Sequence, residues 1–202
     1  MTRNKAGFTL IEMAIVLVIL GLVAGAVAPL TVSMIKRNKI AEGRKAVQVA
    51  RDEIIGYVLI NNRLPEPNFA VSQIAHSKDP WHKDLFIILA PDLVGQNICR
   101  NAEAGKSQTG LAVCLEGDCT RGKKERIAFI IGSRGENLNR QTEEPADRDG
   151  DSTDLETRLY SFGVALDGYS GPGDPQRTDD SYDDIIEYVS LAELAARVCV
   201  DH

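Results

Sequence analysis

Between Phe8 and Val32 the chain runs for 25 residues with one charged side chain, Glu12. A helix of that length is long enough to cross about 30 Å of hydrocarbon at about 1.5 Å per residue. From Met13 to Leu30 there is no charge at all; Arg3 and Lys5 precede the run, and Lys36, Arg37 and Lys39 follow it. A secretory signal peptide also begins basic, but its apolar stretch is shorter and ends in small residues at the cleavage point. Here the run is longer and helical periodicity continues past it. A plain single-span anchor fits the length but leaves Glu12 unexplained, because a carboxylate in the apolar region costs about 2.5–3.5 kcal/mol or more. Glu12 is therefore either a functional group or a side chain that snorkels to the interface.

The remainder must be water-soluble. With 202 residues, 44% hydrophobic and 26% charged, and a mean hydropathy of −0.15, the chain is neither disordered nor a polytopic membrane protein. It has room for one domain. Charge is unevenly spread. Residues 143–187 hold fourteen acids against Arg148, Arg158 and Arg177, a net of −11 in a chain whose total is −6. No general basic footprint for nucleic acid is left on such a chain.

After Met34 the pattern becomes amphipathic. Ile40, Val47, Ala50, Ile54 and Val58 recur at helical spacing, with Arg44, Lys45, Gln48, Arg51 and Asp52 opposite. Asn61-Asn62 and Pro65 end the helix. One helix from Thr9 to Ile60 would be about 75–80 Å long, weakened in its first half by Gly21, Gly25 and Pro29. Beyond Pro67 the sequence predicts strands at Leu85–Leu89, Leu111–Leu115, Ile127–Ile131 and Ile185–Val189. Ser190 and Glu193 make a capping box that opens a terminal helix over Leu191–Val198. The expected fold is α+β: a long N-terminal helix, membrane-spanning in its first half, packed on a C-terminal antiparallel sheet.

The residues Lys5-Ala6-Gly7, then Phe8-Thr9-Leu10-Ile11-Glu12 and the apolar run, together resemble the processing site of the type IV pilin superfamily, which includes the type II secretion pseudopilins. The resemblance covers about the first 50 residues. It implies cleavage after Gly7 by a prepilin peptidase and N-methylation of Phe8. It also makes Glu12 the embedded glutamate of the mature chain. Pro29 sits where many pilins interrupt the helix. Residues 1–7 would be the leader, 8–33 the transmembrane or filament-core helix, and 34–202 an amphipathic helix plus a globular α+β domain in the periplasm. Cleavage would free an amine on Phe8, and the Glu12 carboxylate of one subunit would neutralise that of its neighbour in the filament. The partners implied are other copies of this chain, other pilins or pseudopilins, and an inner-membrane assembly platform. Asp79-Pro80-Trp81 is similar to a segment of major pseudopilins, and reads equally well as a turn with a buried tryptophan.

Cys99, Cys114, Cys119 and Cys199 fall on the exported side if Arg3 and Lys5 stay in the cytoplasm. Four cysteines permit three pairings. Cys114 and Cys119 flank a hairpin-sized loop and are the favoured pair, which would leave Cys99 with Cys199 to tie the chain end back. Zinc is the rival, but Cys99 and Cys199 lack the close-pair spacing of structural sites.

No enzyme motif survives inspection. Ala104-Gly105-Lys106-Ser107 would need glycine where Arg100 stands to be a phosphate loop. His76, His82 and His202 are scattered and form no catalytic pattern. Two acidic clusters remain. Asp147, Asp149 and Asp151, with Asp154, alternate as in calcium loops but lack the full helix–loop–helix spacing. Asp179, Asp180, Asp183 and Asp184 precede the last strand. Major pseudopilins carry a calcium-bound loop near the C-terminus, so calcium is the one cofactor in view. The competing reading is a solvated acidic loop without metal. The expected function is a structural, non-enzymatic subunit of a type IV pilus or secretion pseudopilus; a membrane-anchored periplasmic binding domain that never polymerises is the alternative.

Overall fold

The computed structural model describes residues 9–67, 74–103, 109–164 and 181–199. It divides into two units, Met1–Ile40 and Ala41–His202. Helix α1, Leu10–Asn61, is 52 residues long and contributes to both. In the first unit its apolar side chains are exposed: Leu10 is 90% and Leu22 71% accessible. The helix continues through Pro29, and Thr31 Oγ1 donates to Ala28 O at 2.8 Å. The proline and glycines that weaken this half on paper do not interrupt it.

In the second unit the same helix turns amphipathic and buries Gly43, Val47, Ala50, Ile54, Ile55 and Val58, one face at a period near 3.6. That face meets the last strand and the Trp81 turn. A methyl group on Gly43 would come within 2.7 Å of Ile185 Cδ1 and 3.2 Å of Trp81 Cζ3, so a larger residue here would require those side chains to shift. Arg51 adds an ion pair to Glu187 at 3.3 Å.

Among the described residues, six strands form two sheets: β1 (Phe86–Leu89), β2 (Leu111–Leu115), β3 (Lys123–Lys124), β4 (Ile127–Ser133), β5 (Leu155–Leu159) and β6 (Ile185–Ser190). The first sheet, β1-β4-β6, is antiparallel throughout. Its central β4 is buried along all seven residues, as a strand covered on both faces must be, and its sequence is accordingly apolar rather than alternating. Gly132 lets neighbours close over β4: a Cβ there would lie 2.4 Å from Ile186 Cδ1 and 2.6 Å from Phe86 Cζ. The strand runs on through Ser133, two residues past the predicted end at Ile131.

The second sheet, β3-β2-β5, pairs β2 with β5 in parallel. The α+β arrangement thus contains a mixed sheet beside the antiparallel one. Strand β5 reads Leu-Glu-Thr-Arg-Leu inside the acidic segment, and nothing in its hydrophobicity marks it as a strand. Glu156 and Thr157 are nonetheless fully buried. Helix α2, Ile98–Glu103, is likewise unmarked, and opens with Asn97 Oδ1 accepting from Arg100 N. Helix α3, Leu191–Val198, starts at an N-cap Ser190 whose hydroxyl accepts from Glu193 N at 3.1 Å. Trp81 is half-buried in its turn. Asp79 staples that turn, accepting from Trp81 N and Lys83 N and from Ser133 Oγ.

Candidate functional site

Gly7 and Phe8 lie outside the described residues. The described site begins at Thr9, the N-cap of α1. Glu12 N donates to Thr9 Oγ1 at 3.3 Å, and Thr9 N donates to Glu12 Oε2 at 2.9 Å. Thr9 Oγ1 donates to the same carboxylate oxygen at 3.0 Å. This is a reciprocal capping box, satisfying donors that a helix start leaves unpaired. The Thr9-x-x-Glu12 spacing signals it in the sequence, yet reading Glu12 only as an embedded charge misses it. Behind the cap, α1 is long and apolar enough to cross a membrane.

The cysteines form two bonds, Cys99–Cys199 with Cα atoms 5.5 Å apart and Cys114–Cys119 at 4.6 Å. The first closes 100 residues and joins α2 to the end of α3; the second closes the hairpin between β2 and β3. In that hairpin Leu115 N donates to Gly122 O, and Gly122 N to Asp118 O.

The acidic segment separates into two unlike places. Asp147, Asp149 and Asp151 sit together on an exposed loop, and Asp151 also approaches Asp154 and Glu156. Into the second group reaches Lys123 from β3. Its Nζ lies 2.7 Å from Asp149, 2.8 Å from Asp154, 2.8 Å from Glu156 and 3.8 Å from Asp151. Burial works against the ammonium, but its hydrogen bonds to Asp149, Asp154 and Glu156 outweigh that and hold its pKa above the ordinary lysine value. Burial pushes the Asp154 carboxyl up. Burial also opposes ionisation of Glu156, but hydrogen bonds from Lys123 and its neighbours prevail and hold it low. Lys123 carries no sequence signal for this role, since a two-lysine edge strand looks like ordinary surface.

Of the second cluster, Asp179 and Asp180 lie outside the described residues. Asp183 and Asp184 are buried, and both face inward as backbone acceptors. Asp184 Oδ2 accepts from Gln141 N at 2.9 Å and Thr142 N at 2.6 Å. Asp183 Oδ2 accepts from Asn137 N, and Gln141 Oε1 accepts from Asp183 N. These bonds fasten the 137–142 loop to the start of β6.

Residues 2–28 match the family model for the prokaryotic N-terminal methylation motif, the signature of type IV pilin and pseudopilin precursors. The N-terminus is of the prepilin type. No curated protein and no solved structure matches the chain. The prepilin-type motif stops within the first half of α1, so it says nothing of the globular unit. The apolar helix that the motif enters is compatible with a single membrane pass.

Proposed function

We propose that this prepilin-type chain is a structural subunit, cut after Gly7, methylated on Phe8, and assembled with copies of itself or other pilins into a pilus or pseudopilus. The observation that carries the reading is the methylation motif over residues 2–28, which runs into an exposed apolar helix beginning at Leu10. Before assembly that helix anchors the subunit in the inner membrane, with residues 34–202 in the periplasm. Two disulfide bonds in the globular unit fit an oxidising compartment. In the filament the Glu12 carboxylate of one subunit pairs with the Phe8 amine of the next, which offsets the cost of placing either charge in an apolar core. In the precursor Glu12 is engaged by Thr9, so it already has a role in starting the helix.

Intact-mass spectrometry of the membrane-extracted protein, run beside Glu12→Ala, tests this. Both proteins should begin at N-methyl-Phe8, and Glu12→Ala should be severely depleted from sheared filaments. A mature wild-type chain that keeps Met1 to Gly7 overturns the processing. Filament incorporation of Glu12→Ala at wild-type levels overturns the charge pairing.

A further inference from the structure

We propose that the Lys123 ammonium is the resident cation of the acidic loop, standing where a divalent ion would stand, so that residues 147–156 fold without metal. The inference concerns the globular unit and is independent of the filament reading.

Position is the first argument. Lys123 on edge strand β3 pairs with Cys114 of β2, while Glu156 on the opposite edge strand β5 pairs with Ala112 of the same β2. The side chain therefore crosses the middle strand diagonally, from one edge of the sheet to the other. Its root is fixed by the disulfide-closed hairpin and by the Leu115 N to Gly122 O bond beside it. The ammonium arrives at four carboxylates within 3.8 Å. Two are deeply buried, Glu156 at 0% and Asp154 at 9% side-chain exposure. Carboxylates that close and that dry repel one another strongly, and they converge only around a positive charge.

The second argument is the occupancy of the exposed oxygens. Asp147 Oδ1 accepts from Gly150 N, and Oδ2 from Ser152 Oγ. Asp149 Oδ1 accepts from Asp151 N, and Oδ2 from Lys123. Asp151 Oδ1 accepts from Thr153 N and Oγ1, and Oδ2 faces Lys123. Calcium demands six to eight oxygens around one centre. Each oxygen of Asp147, Asp149 and Asp151 already faces a donor from the loop or from Lys123.

Thermal melting of the full chain in detergent, in millimolar calcium and in chelator, tests the proposal on wild type, Lys123→Met and Lys123→Arg. Wild type and Lys123→Arg should melt alike in both conditions. Lys123→Met should melt roughly 5–10 °C lower in chelator, because removing one partner strands buried charge, and calcium should recover much of that loss. A wild-type midpoint that rises with calcium overturns the proposal. So does a Lys123→Met protein as stable as wild type in chelator, or one that is destabilised and indifferent to calcium. If Lys123→Met does not fold in either condition, Lys123→Arg decides alone: a calcium-dependent midpoint there overturns the proposal, and a wild-type-like, calcium-independent one supports it.

Discussion

Asp184 is a carboxylate at 3% exposure, held against two backbone N–H groups, with one oxygen, Oδ1, that has no hydrogen-bond partner among the described residues. Burial, with the charge of neighbouring Asp183 adding to it, pushes its pKa from 3.8 up to about 7, despite the bonds from Thr142 and Gln141. The sign follows. Between those two values the folded chain binds a proton that the unfolded chain has released, so stability falls as pH rises from near 4 to near 7. Asp184→Asn keeps the shape and one amide oxygen for the two donors while removing the charge. Chemical denaturation across that pH range should show a downward slope for wild type that is clearly flattened in the variant. Gly135 lies against neighbouring Asp183: at φ +67°, a Cβ would lie 2.3 Å from the Asp183 backbone oxygen. Left-handed backbone and close approach both require glycine there.

At the scale of elements, the two well-capped helices behave as their sequences direct. Thr9-x-x-Glu12 closes a reciprocal capping box, whereas at Ser190 the serine half forms, with Glu193 N donating to Ser190 Oγ, and the Glu193 carboxylate accepts from Arg197 instead. Helix α3 has only eight residues, and a helix that short depends on its cap and its packing rather than on propensity. Ser190→Ala should therefore cost about 1 kcal/mol, or about 2–4 °C in the melting midpoint, while Ser190→Asp should restore most of it. An unchanged midpoint in Ser190→Ala would mean that buried Leu191 and Leu194 fix α3 without the cap. Strand β5 shows the opposite case. Its five-residue pairing with β2 sets a buried Glu156 beside Lys123, so a backbone ladder and a distant ion pair accompany it, and no apolar run announces it.

Across the whole globular unit, Cys99–Cys199 joins segments 100 residues apart. On the chain-entropy account, closing a loop of that size restricts the unfolded chain by about 4–5 kcal/mol. The Cys114–Cys119 bond spans five residues and on the same account restricts the unfolded chain by about 2 kcal/mol. Replacing Cys99 and Cys199 with serine should lower the melting midpoint by roughly 8–15 °C, about twice the effect of replacing Cys114 and Cys119. Equal effects from the two pairs would show that loop length does not govern the stabilisation.

How much was legible follows from the range of each interaction. The long helix, the four apolar strands and the terminal capped helix were readable, because each is specified by residues within a few positions of one another: an uncharged run, a 3.6 period, a cluster of β-branched side chains, a Ser-x-x-Glu. The N-terminal motif was legible for the same reason, since Gly7, Phe8 and Glu12 stand within six residues. What the sequence by itself could not determine was which distant groups meet. Asp147 to Asp154 read as a calcium loop or a solvated one because the deciding cation, Lys123, is more than twenty residues away on another strand. Asp183 and Asp184 read as surface ligands until folding turned them toward the backbone of 137–142. Strand β5 was hidden for the same cause. Local pattern specifies elements, whereas burial of charge is settled by partners that only tertiary structure brings within hydrogen-bonding distance.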